Sequence, residues 1–246
     1  MRKCTFSVII PAHNEEKYIG KCIKAVKYAS IKVGTENVQI IVSANRCTDR
    51  TVQIARALGA EVCENTVRCI SAVRNEGAKL AKGKIIVTID ADSRMTEGSL
   101  AEIKAMLGSG KYIGGGTIPK FDRMSLGIAV SSAYVALNII PVMIKHKAAL
   151  MGGMFWCLRR DFETLGGFDE SLVSLEDMNF AVRLKRLGDK RNKKYGVLRK
   201  SRIITSSRKF DEFGDWYLIK NRELTKAIFT GKNREAADRF YYDVKR

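Results

Sequence analysis

Asp90 and Asp92, with only Ala91 between them, stand directly after the run KIIVTI at positions 84–89. That run is apolar and β-branched enough for a strand buried on both faces. Ionised carboxylates at the end of such a strand are costly unless they are paired or bound to a cation. Separated by one small residue in a turn, both can face a single hard divalent ion whose other ligands are phosphate oxygens and water. A plainer arrangement stays open, in which the tripeptide only ends the strand and Asp92 caps the next helix. Polar residues gather in the same way after two earlier apolar runs: Pro11, Ala12, His13, Asn14 and Glu15 after SVII, and Ser43, Ala44, Asn45 and Arg46 after VQIIV.

The elements that must carry these residues alternate in type. Residues 7–10 predict a strand, after which Tyr18, Ile19, Cys22, Ile23 and Val26 recur at helical spacing, with Asn14 as N-cap. A strand at 38–42 leads into a helix over 49–58 closed by Gly59, with Thr48 or Asp49 near its start. A short strand at 60–64, a helix over 70–82 ended by Gly83 and the strand at 84–89 complete the series. Repeated strand-helix units argue for a parallel sheet with helices on both sides, whose ligands bind beyond the carboxyl ends of the strands. The three polar clusters therefore converge on one rim, toward which the first helix also turns its unpaired N–H groups.

Of the 246 residues, 46% are hydrophobic and 28% charged, the composition of a folded protein and not of a disordered basic tail. Lys and Arg number 44 against 26 Asp and Glu, a net charge of +18, which points to nucleic acid, an anionic membrane or phosphorylated ligands. Residues 183–246 hold 20 Lys and Arg against 8 Asp and Glu, so the excess is a C-terminal feature. The six cysteines lack the spacing of a zinc knuckle or redox motif, and His13 and His146 are the only histidines, which argues against a His-based zinc site. Cysteine usage and an N-terminus without a secretion signal predict a reducing, cytoplasmic setting.

The segments SVIIPAHNEEKYIGKCI, ANRCTDRT and RNEGAKLAKGKIIVTIDADS, in that order, resemble the N-terminal half of a family 2 glycosyltransferase with the GT-A fold. GGMFWCLRRDFETLGGFDESLVSLEDMNFAVRLKRLG resembles that family's acceptor-side segment. The resemblance, spanning residues 5–210, implies an α/β fold of GT-A type: a Rossmann-like, mostly parallel central sheet flanked by helices. The donor half would cover about 1–93, the acceptor half about 94–210, and a basic helical C-terminal tail 211–246.

The resemblance also implies roles. Pro11, Ala12, His13, Asn14 and Glu15 would lie by the base and ribose of a nucleotide-sugar donor, Asn45 where the family usually reads the nucleotide with an Asp, and Arg74 near the donor phosphates. Asp90 and Asp92 would be the family's DxD, holding Mg²⁺ or Mn²⁺ on the diphosphate, with Ala91 between them in the donor-binding set. Asp177, preceded by Glu176, would be the catalytic base. The chemistry suits these roles: a departing nucleoside diphosphate needs its charge neutralised, and the attacking hydroxyl must pass its proton to a carboxylate, as in a single displacement with inversion. By themselves, Glu176 and Asp177 are equally a favourable acidic pair in the first turn of a helix over about 175–187, where Phe180, Leu184 and Leu187 recur. Arg74 alone equally reads as an exposed helix residue, and Gly152 and Gly153 either let backbone approach the sugar or form a turn.

Two departures from the family pattern bear on the substrate. Ala44, Asn45 and Arg46 stand where many members have two acids and a glycine, which leaves the donor open, with a uridine diphosphate sugar as first expectation. Residues 182–186 lack the Gln-x-x-Arg-Trp of processive members, so a single-addition hexosyltransferase is expected over a polymerase. The stretch MSLGIAVSSAYVALNIIPVMI at 124–144 is long enough to span a bilayer, but Ser131, Ser132, Asn138 and Pro141 favour a buried or membrane-surface helix. With Lys145, Lys147 and the basic C-terminal quarter it would suit an anionic leaflet, a glycan or lipid-linked acceptor and peripheral attachment to the inner face of the cell membrane. A core helix with a solvated basic face is equally open, as is the role of Trp216 and Tyr217 at the start of a tail helix. The rival functions are a nucleotidyltransferase of the same fold and a non-catalytic basic protein binding nucleic acid or membrane. No aromatic-basic motif supports specific nucleic-acid recognition.

Overall fold

The computed structural model describes residues 5–145, 153–172 and 175–222, the side chains of 138–145 excepted. His146, Lys147, Gly152 and the tail from 223 onward lie outside the described residues. The first half contains β1 (Phe6–Ala12), α1 (Ile19–Ile31), β2 (Val38–Asn45), α2 (Thr51–Ala57), β3 (Glu61–Asn65), α3 (Ile70–Lys79) and β4 (Ile85–Ile89). There follow β5 (Ser93–Met95), α4 (Ser99–Gly108), β6 (Tyr112–Gly116), β7 (Pro119–Phe121), α5 (Leu126–Lys145), β8 (Met154–Leu158), α6 (Arg159–Thr164) and α7 (Glu176–Lys190). The described chain closes with β9 (Lys194–Val197), β10 (Ile203–Thr205), α8 (Arg208–Phe213) and α9 (Tyr217–Lys220).

Seven strands form the main sheet in the order β3-β2-β1-β4-β8-β6-β9. All neighbours are parallel except β8, which runs antiparallel to both β4 and β6. Alternation along the strands decides which layer each side chain enters. Val8, Ile10, Ile85, Val87 and Ile89 join Ile19, Cys22, Ile23 and Val26 of α1 and Leu100 and Ile103 of α4 in one core. Ile9, Ile41 and Ile86 point the other way, into a second core with Phe155, Phe162, Phe168, Phe180 and Leu184. Each such side chain contributes about 1.5–3 kcal/mol by leaving water, so both faces of β4 are held and its end cannot shift. The expected α/β architecture with a mostly parallel, helix-flanked sheet is therefore what forms.

Three local expectations need correction. β1 runs two residues further than predicted, taking in Pro11 and Ala12, which pair with Ser43 and Ala44 of β2. Pro is tolerated there because β4 pairs with β1 only as far as Ile9, leaving one hydrogen-bonded neighbour instead of two. Asn14 does not cap α1, which starts at Ile19 without a side-chain cap; Asn14 sits at φ 51° and accepts the Thr48 N–H at 2.8 Å, tying the first loop to the second. The C-terminal tail is helical where described but not basic: residues 183–210 hold 12 Lys and Arg against 1 Asp or Glu, and residues 211–246 hold 8 against 7.

A second, three-stranded sheet, β5-β10-β7, lies beside the end of β4. Its central strand β10 is antiparallel to β5 and parallel to β7. The Ser206 N–H donates to Asp92 O at 3.1 Å and the Ser93 hydroxyl to Thr205 Oγ1 at 3.0 Å, so the chain after β10 is delivered to the Asp90–Asp92 turn. Against the segment that joins α8 to α9, α5 packs Ile128 and Ser131 inward, the Ser131 hydroxyl donating to Asp215 O at 2.6 Å. Its opposite face leaves Leu126 75% and Leu137 70% exposed. Among the described residues no helix is long and apolar enough to cross a membrane.

Candidate active site

The Asp90–Asp92 turn joins β4 to β5, and its backbone is closed by the Ser93 N–H donating to Asp90 O at 3.0 Å. Above it, Arg74 extends from α3 and is only 5% exposed, not the surface residue that its motif alone allows. Its Nη2 donates to Asp90 Oδ1 at 3.0 Å, and its Nη1 donates to Glu176 Oε1 and Asp177 Oδ1, each at 2.6 Å. One guanidinium thus joins Asp90 to the acidic pair that opens α7, across 102 residues of sequence. α7 can present that pair because Phe180 and Leu184 bury its inner face and Leu175, at φ 61°, turns the chain sharply into the helix.

A second arginine, absent from the sequence reading, organises the other aspartate. Arg208, the first residue of α8, donates Nη1 and Nη2 to Glu15 Oε2 and Oε1 at 2.7 Å each, and Nη2 lies 3.0 Å from Asp92 Oδ2. Its Cζ stands 4.9 Å from the centroid of the Tyr18 ring, a stacking geometry that suits guanidinium better than ammonium. The usable signal was its place: a basic residue just past the IIT strand at 203–205 obeys the same strand-end rule as Asp90.

Burial dominates the electrostatics. It pushes the Asp177 carboxyl up to about 6, with the attraction of Arg74 opposing and the charge of Glu176 reinforcing the shift. Asp90 is raised by burial against the pull of Arg74, and Asp92 by burial against the pull of Arg208. Arg74 stays firmly protonated: burial disfavours its charge, but Asp177, Glu176 and Asp90 outweigh that cost. Glu15, Asp90, Asp92, Glu176 and Asp177 are answered by Arg74, Arg208 and the nearby Lys209. The cluster therefore keeps about two units of negative charge, the amount one divalent cation offsets.

The residues present fit such an ion. The arginines engage Asp90 Oδ1 and Asp92 Oδ2, leaving Asp90 Oδ2 and Asp92 Oδ1 clear of them. Gly153, at φ 71°, keeps space open at Asp90, since a Cβ there would lie 3.1 Å from Asp90 Oδ2. Among the described residues no group of three or more His, Cys, Asp or Glu could hold a metal unaided. A cation here would therefore take its remaining ligands from a bound phosphate and water.

The other candidates divide. Glu15 is drawn into the cluster through Arg208, and Pro11 and Ala12 are buried in β1 beside it. Ala91 is buried within the turn. His13 Nδ1 is 2.6 Å from Asn45 O, joining the first and second loops. Asn45 is turned toward the exit of β3: its amide donates to Asn65 Oδ1 at 2.6 Å and Val67 O at 2.8 Å, and its Oδ1 accepts from Arg46 Nε at 3.3 Å. In these contacts it braces the rim.

Residues 7–166 match the family described as Glycosyl transferase family 2, and the chain belongs to that family. The glycosyltransferase AglE of Haloferax volcanii is 26% identical over 192 residues, covering 74% of this chain and 62% of that protein, so the chain spans less than two thirds of this relative. Among solved structures, residues 1–349 of Staphylococcus aureus TarS in complex with UDP-GlcNAc match with a TM-score of 0.61 and 16% identity over 98% of this chain and 71% of that 1–349 chain. Glucosyl-3-phosphoglycerate synthase from Mycobacterium tuberculosis, in complex with Mn²⁺, UDP and phosphoglyceric acid, matches with a TM-score of 0.57 and 18% identity over 91% and 77% of the two chains. The fold is of GT-A type.

Proposed function

We propose that the protein transfers a sugar from a nucleoside diphosphate sugar to an acceptor hydroxyl, in one displacement with inversion. The observation that carries this reading is the Arg74 bridge, which places the Asp177 carboxylate and the Asp90 carboxylate on one guanidinium, at 2.6 and 3.0 Å. A base raised to about 6 is largely ionised at neutral pH yet basic enough to take a proton as the hydroxyl attacks. The new bond forms from acceptor oxygen to the anomeric carbon, the bond from that carbon to the diphosphate oxygen breaks with its electron pair, and the hydroxyl proton passes to Asp177. Asp90 and Asp92 would hold a Mg²⁺ or Mn²⁺ ion, which when bound supplies neutralising charge to the departing diphosphate. Arg74 and Arg208 add fixed positive charge beside it. A uridine nucleotide is the expected carrier, supported by the UDP complexes of the two structural neighbours.

Screening nucleotide-sugars by thermal shift with Mn²⁺, with Asp92→Ala as control, tests the donor. The reading predicts that at least one uridine diphosphate sugar stabilises the wild type and not the variant, and it is abandoned if none does. Release of pyrophosphate instead of nucleoside diphosphate would make the protein a nucleotidyltransferase.

A second observation favours delivery of the acceptor at an anionic membrane surface by a peripherally attached enzyme, as for a lipid-linked or envelope glycan. Leu126, Val130 and Leu137 lie on one stripe of α5 and are 75%, 40% and 70% exposed, with no charged residue between them. Co-sedimentation with anionic vesicles, lost in Leu126→Glu/Leu137→Glu, checks this; equal binding to neutral vesicles removes the electrostatic part.

A further inference from the structure

Next to Arg74, Asn75 makes contacts that the proposed chemistry does not use. Its Oδ1 accepts the Phe168 N–H at 2.9 Å, and its Nδ2 donates to Phe168 O at 2.9 Å and to Glu170 Oε1 at 2.8 Å. The side-chain amide therefore pairs with both the N–H and the C=O of one residue, Phe168, as a neighbouring strand would. Only glycine fits beside it: Gly167 has φ 74°, and a Cβ there would stand 2.6 Å from Asn75 Oδ1. From the opposite side, Arg183 of α7 donates to Leu165 O at 2.8 Å and Gly167 O at 2.7 Å, while its Nε donates to Asn179 Oδ1 at 2.7 Å. The turn at 165–168 is thus gripped by α3 through Asn75 and by α7 through Arg183. These are the two helices whose relative position sets the contact between Arg74 and Asp177. The Phe168 ring stiffens the joint, lying 4.8 Å from Phe180 of α7 and 5.3 Å from Arg74 Cζ.

We propose that Asn75 is a positioning residue for Asp177: it locks the Phe168 turn to α3, and through Arg183 that turn sets where α7 begins. The role in transfer rests on the function proposed above; the mechanical link does not. A displacement of about 1 Å at a reacting group costs on the order of 100-fold in rate, so a loosened α7 lowers turnover while donor binding, which uses other elements, holds.

The test is Asn75→Ala and, should that variant fail to fold, Asn75→Ser, read by hydrogen exchange and by kinetics. Amides of residues 179–184 are expected to exchange at least about tenfold faster than in the wild type while those of α1 are unchanged. The kcat is expected to fall about 10- to 100-fold with the donor KM within about twofold. In Asn75→Asp the carboxylate keeps the Phe168 N–H but loses both donors and faces Glu170. Adding Glu170→Gln restores a donor to that pair, and partial recovery of kcat is expected. Unchanged exchange in α7, or equal loosening of α1 and α7, overturns the proposal, as does a kcat that stays at the wild-type level. If the wild type turns over no donor yet the α7 amides still loosen selectively, the transferase reading fails and the link from Asn75 to α7 stands.

Discussion

Arg208 and Glu15, 193 residues apart in sequence, meet in two parallel hydrogen bonds of 2.7 Å. The pair fastens the segment after β10 to the loop after β1, and the 3.0 Å approach of Arg208 to Asp92 draws the Asp90–Asp92 turn into the same joint.

Arg208→Ala leaves Glu15, which is 4% exposed, without its bidentate partner. Removing one member of a buried pair costs about 3 kcal/mol or more, which in a chain of this size is a drop of several degrees in Tm. Arg208→Lys is expected to recover only part of the loss, because an ammonium cannot form the fork or stack on Tyr18. Differential scanning calorimetry of the three proteins at pH 7 reads this directly; a wild-type Tm in the alanine variant would contradict it.

Asp177 links stability to pH with a defined sign. Its folded value of about 6 lies above that of an ordinary aspartate, so its contribution to stability is fully present at pH below about 4 and is lost as pH rises through about 6. Asp177→Asn should therefore raise Tm at pH 7–8, by up to about 3 kcal/mol in stability, and give no gain at pH 4. The same variant should abolish transfer, whereas the wild-type rate should fall on acidification below about 6. A Tm gain independent of pH would show that ionisation of Asp177 is not its cause.

Asp90 and Asp92 should matter for metal only with a diphosphate present. Mn²⁺ with uridine diphosphate is expected to raise the wild-type Tm, by about 2.7 kcal/mol in stability at 100 times Kd. Mn²⁺ alone should do little, since two carboxylates make an incomplete ligand set. Asp90→Ala and Asp92→Ala should each remove the increment, and EDTA should reverse it; an equal increment from Mn²⁺ alone would show that the protein binds it without phosphate.

Two glycines should respond in opposite directions. At Gly83 a Cβ would fall 2.4 Å from the Phe6 carbonyl carbon and 2.5 Å from Ser7 N, both backbone atoms of β1 that cannot yield. Gly83→Ala should cost more than about 2 kcal/mol. At Gly108, in the last turn of α4, nothing lies within 4 Å, and Gly108→Ala should be neutral or stabilising by up to about 1 kcal/mol. Urea unfolding of both variants decides the pair.

What could be read from the sequence was what is local. The strands at 38–42 and 84–89 and the helix following Tyr18 announce themselves by β-branched runs and by spacing, and the structure differs from them by a few residues at the ends. Arg74, Asp90, Glu176 and Asp177 were each nameable from short motifs, and the structure brings them together. Their joining by a single guanidinium was not legible, because it depends on how α3 and α7 pack across the aromatic cluster of Phe155, Phe168 and Phe180. Arg208 escaped because its place is set by the pairing of β10 with β5, a contact between short strands with no period of their own. The partners that hold Asn45, namely Asn65 and Val67, were not legible either, because only the ordering of β3 beside β2 supplies them.

The reversal of direction at β8 bears on how the chain is made. β1 to β4 and their helices are complete by Ile89, but the strand that covers the outer edge of β4 does not begin until Met154. During synthesis β4 therefore emerges with the apolar edge IIVTI unpaired on one side for the time needed to add more than sixty residues. Exposed edges of this kind recruit other chains, and pairings so distant in sequence form slowly. A fragment ending after Asp92 is expected to accumulate as aggregate, with β1 to β4 folding productively only once β8 arrives.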